Sequence, residues 1–290
     1  MMYFDRRYKI AVWAVSLSVF TVLMAAIFLQ GAMRLQPPYM IPTDQRLNNS
    51  IAMGILVVFA FPAIVETYNC KWLRGVDDNT PRLLLDVTEA VRSGVPLINA
   101  LEGASEREYG PITKPLNQAM VKFRLTSDLE DALKGLGESL IRPVVRRMST
   151  ILLEAYETGG RIIDVLDTSV DLFTNLAEYR EERLSQMRPY VFIVYLGSAI
   201  FLAISWVILA RFLAPLHAAV MDPSISTAGI LWNLLDINYY KSVFFWAAVI
   251  ESIFGGLVAG KIGTGRTSSG LGHTVMLLAM TTIFFNTFRV

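Results

Sequence analysis

Gly255 to Thr267 reads GGLVAGKIGTGRT, one residue short of the nucleotide-binding pattern G-x-x-x-x-G-K-[ST]. Gly255, Gly260 and Lys261 fall on the pattern, and Ile262 stands where a Mg²⁺-binding hydroxyl belongs. A phosphate loop also needs a preceding strand and glycine amides free to cradle the phosphate. Here the glycines close an apolar stretch of membrane-helix character, whose amides are spent along the helix. Gly256 and Gly260 therefore read as a G-x-x-x-G packing face, and Lys261 and Arg266 as positive charges just beyond it. Glu251 lies near the middle of the same stretch, where an ionisable group is costly and faces protein rather than lipid. Helical spacing puts Ala247, Glu251, Gly255 and Ala259 on one line, beside Ala248, Ser252, Gly256 and Gly260. Ser205 and Thr281 or Thr282, at similar depth on other apolar stretches, are expected hydrogen-bond partners for the carboxyl. Glu251, Gly255, Gly256 and Gly260 thus form the expected intramembrane packing or partner-contact set. No second buried acid accompanies Glu251, which counts against proton transfer.

The remaining reactive residues assemble no catalytic group. Glu154 and Glu157 lie three apart with Asp164 beyond a Gly-Gly turn, a spacing that suits either a hard cation or a solvated helix face. Arg142, Arg146 and Arg147 form a basic cluster that suits an acidic protein surface, lipid headgroups or plain solvation. His217 and His273 have no Cys or carboxylate at ligand spacing, so no metal is expected. Cys70 is the only cysteine, which excludes an internal disulfide. No Ser–His–Asp arrangement can be built. The expectation is a protein with no catalytic residue, cofactor or metal.

The elements that must position these residues are legible in the composition. Hydrophobic residues make up 53% of the chain and charged ones 18%, and the mean hydropathy is +0.45. Residues 67–188 hold 16 of the 26 Lys+Arg and 19 of the 25 Asp+Glu. That is a membrane protein with one polar domain inserted, and its net charge of +1 gives no reason to expect nucleic acid as a partner. Five stretches approach the roughly 20 apolar residues that a span requires: Ile10–Leu29, Ile51–Val65, Tyr190–Phe212, Val243–Gly260 and Leu271–Phe288. Arg6, Arg7 and Lys9 precede the first, which reads as a retained anchor, and Lys261 and Arg266 lie between the last two. The loop from Ala214 to Tyr240 holds no Lys or Arg. Positive residues on the cytoplasmic side then place the N-terminus inside and the C-terminus outside. The expected division is two spans over 1–66, a cytoplasmic domain over 67–188, and three spans over 189–290.

The polar domain shows helical periodicity with firm punctuation and no alternating strand pattern. Thr80-Pro81 reads as the start of a helix with Leu83, Leu84, Val87, Ala90 and Val91 inward, ended by Gly94. Pro96 opens the next, with Leu97, Ala100, Leu101 and Ala104 on one face. Gly110-Pro111 breaks it, and Leu116, Met120 and Phe123 line a third. Ser127 to Glu130 reads as a capping box before Leu129, Ala132, Leu133 and Leu136. Pro143 opens a fifth helix, ended by Gly159-Gly160, and a sixth runs unbroken from Arg161 to Pro189 and on into the third span. The predicted fold is all-α: five transmembrane helices and a cytoplasmic antiparallel six-helix bundle.

Two helix openings repeat L-x-x-A-L after a turn, at Leu97–Leu101 and Leu129–Leu133, and Glu157-Thr158-Gly159-Gly160 with Leu166 closes the series. Over Pro81 to Phe212 this ordered set resembles the type II secretion F domain, although Thr126 stands where members usually have Gly. That domain belongs to inner-membrane platform proteins of type II secretion, type IV pili, Tad pili and archaella. Two spans before one domain and three after it are similar to the C-terminal half of an archaeal platform, or to a one-domain Tad protein. The resemblance implies a non-enzymatic scaffold in the cytoplasmic membrane that couples a secretion ATPase to pilin-like subunits. A homodimer and a pairing with a related platform protein are both open. Arg142, Arg146, Arg147, Lys261 and Arg266 are then the candidate ATPase contacts. A small membrane transporter and a membrane signalling protein with a helical bundle are the competing readings.

Overall fold

The computed structural model describes residues 3–29, 41–159, 161–220 and 236–287. Among these, every regular element is helical. The helices are α1 (Arg6–Leu29), α2 (Gln45–Arg92), α3 (Leu97–Ser105), α4 (Thr113–Thr126) and α5 (Leu129–Ser139). They continue as α6 (Pro143–Thr158), α7 (Ile162–Val207), α8 (Ala214–Val220), α9 (Ile237–Thr264) and α10 (Gly270–Thr287). A π-helical segment, Ile208–Leu213, joins α7 to α8. Five helical stretches are long and apolar enough to cross a membrane: Arg6–Ile27, Gln45–Arg92, Ile162–Ala218, Ile237–Thr264 and Thr267–Thr287. The chain divides into two compact units, one of Met1–Tyr3 with Tyr68–Ser185, the other of Phe4–Thr67 with Gln186–Val290.

The helical unit is built on the apolar stripes that periodicity picks out. Leu83, Leu101, Leu116, Met120, Leu133 and Leu152 all enter one core. At the start of α6, Val145 is the fully buried residue and its neighbour Val144 lies at the core's edge. Consecutive helices pack, α3 on α4, α4 on α5 and α5 on α6. Gly94 (φ 94°) and Gly159 (φ 59°) end α2 and α6 in backbone conformations that only glycine adopts freely.

Two local expectations are corrected. Pro81 does not begin a helix but lies inside α2. Trp72, Val76, Leu83 and Val87 fall on one helical face that runs straight through it, and all four are buried. Burial of that face outweighs the one hydrogen bond that proline cannot donate. The Thr80 hydroxyl is buried and donates to the Val76 carbonyl (2.7 Å) rather than capping. Likewise the cap of α5 is Asp128, whose carboxylate accepts from the Asp131 amide at 2.9 Å. Ser127 (φ 54°) instead takes the left-handed position that ends α4.

In the membrane unit, α9 and α10 form the closest pair. A Cβ on Gly256 would lie 2.3 Å from the Thr274 backbone, and one on Gly260 would lie 2.0 Å from the Gly270 amide nitrogen. Small residues let the two backbones touch, as expected where lipid offers no hydrophobic drive to helix association. Further along the same seam, the Ser252 and Thr281 hydroxyls hydrogen-bond at 2.8 Å. Elsewhere in the unit Asn48 joins α2 to α9. Its amide donates to the Ser242 hydroxyl (2.9 Å), and its carbonyl accepts from the Trp246 indole (3.0 Å).

Candidate functional site

The near-P-loop stretch is continuous helix from Ile237 to Thr264. The amides of Gly255, Gly256 and Gly260 are therefore committed within α9, and Thr264 donates to the Gly260 carbonyl (2.9 Å). The chain turns at Gly265 (φ 75°), whose amide caps the Lys261 carbonyl at 2.9 Å. Lys261 and Arg266 flank that turn and are both exposed.

Glu251 stands apart from the hydroxyls expected to bind it. Ser205 donates to the Phe201 carbonyl (2.8 Å) and Thr282 to the Leu278 carbonyl (2.8 Å), while Thr281 pairs with Ser252. Ser205 and Thr282 thus satisfy themselves on the preceding turn, and Thr281 is taken by Ser252, which removes all three as partners for Glu251. Among the described residues the buried Oε2 of Glu251 has no hydrogen-bond partner. Gly255, on the Glu251 line, has ordinary room: a Cβ there would lie 3.4 Å from Val194 and 3.7 Å from Leu277. The glycines thus separate into Gly256 and Gly260, which face α10 at backbone distance, and Gly255, which does not.

A polar cluster that sequence reading did not pick out sits at one end of this unit. Glu66 is 6% exposed. It accepts from the Lys9 ammonium (2.8 Å) and from the Ser268 hydroxyl (2.6 Å). An apolar cavity of about 340 Å³ opens beside it, walled by Trp13, Pro62, Leu257 and Leu271. The available signal was an acid ending one apolar stretch and a lysine opening another. His273 is likewise engaged, with its Nδ1 2.7 Å from the Tyr195 hydroxyl.

In the helical unit the three arginines of α6 part company. Arg142 clasps Asp77, its Nε on Oδ1 at 2.8 Å and its Nη2 on Oδ2. The Asp77 side chain is 6% exposed, and Arg180 approaches the same oxygen at 3.4 Å. Arg147 lines the groove beside this pair, with Arg180 and Arg183 from α7. Arg146 faces elsewhere, against Gly137 and a cleft shared with Lys134 and Glu138. Asp77, Arg180 and Arg183 were not singled out from sequence, because nothing local ties them to α6. Asp164 faces Arg161 at 3.5 Å, and among the described residues no three His, Cys, Asp or Glu gather where they could hold a metal.

Asp86 anchors a second network in this unit. The buried Tyr109 hydroxyl donates to Asp86 Oδ2 at 2.6 Å, and Arg107 pairs with the same oxygen at 3.3 Å. Burial, and then the hydrogen bond to this carboxylate, push the Tyr109 phenol up to about 12.

Residues 83–210 match the family "Type II secretion system (T2SS), protein F". That stretch of the chain is similar to the type II secretion F domain. The match begins in the latter part of α2 and ends in the π-helical segment after α7, so it takes in most of the helical unit's core and most of the third apolar stretch. With its five apolar helices, this is a multi-pass membrane protein. An uncharacterized protein of Methanocaldococcus jannaschii is 25% identical over 240 residues, which cover 81% of this chain and 38% of that relative. The chain thus spans about two fifths of the relative's length. No solved structure matches the chain.

Proposed function

We propose that this protein is a non-enzymatic membrane platform for assembly of a type IV pilus-like filament. The F domain lying among apolar helices is the observation that carries this reading. Its partners are a cytoplasmic secretion ATPase, which hydrolyses the nucleotide, and pilin-like subunits held in the membrane. A second copy or a related platform protein completes the assembly. The protein lies in the cytoplasmic membrane with the polar helical domain over 67–188 and the N-terminus inside and the C-terminus outside. Arg6, Arg7 and Lys9 before the first apolar stretch support this orientation, as do Lys261 and Arg266 between the last two. Glu251 is a contact for a partner helix, since its buried oxygen has no hydrogen-bond partner among the described residues. Deletion of the gene tests the reading: surface filaments, or the proteins they secrete, disappear and return on complementation. Solute flux through liposomes holding the purified chain without an ATPase would favour a transporter instead.

A further inference from the structure

We propose that the arginine groove formed by α2, α6 and α7 is a docking site for a carboxylate-rich, partly apolar segment of a partner protein. Four arginines and one acid line the groove: Arg142, Arg147, Arg180 and Arg183 around Asp77. Asp77 already shows what the groove grips. Its carboxylate is held through both oxygens by Arg142 and reached by Arg180. Arg147 and Arg183 have no ion pair among the described residues, so two guanidinium forks remain for incoming carboxylates.

A free anion would leave the second feature of this surface unexplained. Leu172, Leu176 and Tyr179 are 51%, 39% and 67% exposed. They follow one another at helical spacing, and the same line continues to Arg183. An exposed apolar stripe running into arginines has the composition of a protein interface. The groove, of about 340 Å³ and backed by Pro143, Val144 and the buried Phe173, has room for inserted side chains. A lipid surface fits less well. Residues 67–188 carry 19 acids against 16 bases, a balance that an anionic leaflet repels. The docking surface is defined by its own charge and exposure, so it can fail while the platform reading stands.

The test uses the full chain in nanodiscs of neutral phosphatidylcholine and a labelled peptide of Glu and Leu. The acidic peptide binds and its Gln-and-Leu counterpart does not. Arg147→Ala with Arg183→Ala weakens binding about tenfold, the scale of two exposed charge-assisted contacts. Leu176→Ala with Tyr179→Ala weakens it also, while Arg82→Ala with Lys114→Ala leaves it unchanged. Should the double arginine variant lose its fold, Arg183→Gln alone still lowers affinity measurably, because that side chain is exposed. Equal binding by wild type and arginine variants overturns the proposal. So does displacement of the peptide by inorganic phosphate, which would mark a small-anion site. Protection of Arg147 and Arg183 from arginine-directed labelling in phosphatidylglycerol discs but not in phosphatidylcholine discs, which would place the groove against lipid, overturns it too.

Discussion

Replacing Gly260 with alanine separates backbone packing from helix propensity at the α9–α10 seam. A Cβ there would stand 2.0 Å from the Gly270 nitrogen, about 1.4 Å short of the 3.4 Å at which ordinary contact begins. The atom it meets is backbone, so no rotamer change relieves the clash and the helices must separate. A gap of that size forfeits much of the dispersion energy along the seam. Overpacking of this kind costs up to about 3 kcal/mol. Alanine returns about 1 kcal/mol through better helix propensity. The net loss is then about 2 kcal/mol. Gly255→Ala is the matched control: its Cβ meets Val194 at 3.4 Å and Leu277 at 3.7 Å. It has the same propensity gain without the clash, so it is neutral or slightly stabilising. Thermal unfolding of the purified variants in one detergent, followed by tryptophan fluorescence, reads the difference. Gly256→Ala, with a clash at 2.3 Å, should fall with Gly260→Ala. Equal stability of Gly255→Ala and Gly260→Ala would refute the close crossing.

Asp77→Ala leaves Arg142 and Arg180 facing one another without their shared acid, and costs about 2 kcal/mol as charged hydrogen bonds are lost. Thermal unfolding of the full chain reads this, and Arg142→Ala should destabilise similarly. The Tyr109 phenol is raised to about 12 in the folded protein, above its ordinary value near 10. Its contribution is therefore complete below about pH 10 and is lost as the pH rises from there to about 12. Tyr109→Phe removes that part of the pH dependence and weakens the protein at neutral pH by about 1.5 kcal/mol, since the phenol bonds a carboxylate. In the membrane unit, Glu251→Gln keeps folding and most filament assembly, whereas Glu251→Leu impairs assembly. Complementation of a deletion strain by each variant decides this, and full activity of Glu251→Leu would remove the partner role.

The features legible in the sequence are those that depend on spacing within one helix. The Leu97–Leu101 and Leu129–Leu133 stripes, the glycine stops at Gly94 and Gly159, and the unbroken run through Pro189 are all local patterns. Pro81 misled because a proline reports only on its own turn, while the buried face from Trp72 to Val87 extends across several. The small face of α9 was visible as a pattern of glycines. That Gly270 and Thr274 lie against it was not, since both belong to the next helix. Asp77 meets Arg142 across 65 residues and Glu66 meets Ser268 across 202. Neither pairing leaves a trace in local composition, and both became visible only when the helices were placed. The hydroxyls expected to reach Glu251 illustrate the converse: equal depth in the membrane does not make two side chains neighbours, for Ser205 and Thr282 are satisfied on their own helices and Thr281 is taken by Ser252.

Affinity purification of the full chain from native membranes in mild detergent, with the bound proteins identified by mass spectrometry, tests the platform reading most directly. If the protein is a platform, a cytoplasmic secretion ATPase and pilin-like subunits are retained together. Recovery of the intact chain with neither of them, under conditions that preserve other membrane complexes, would contradict it.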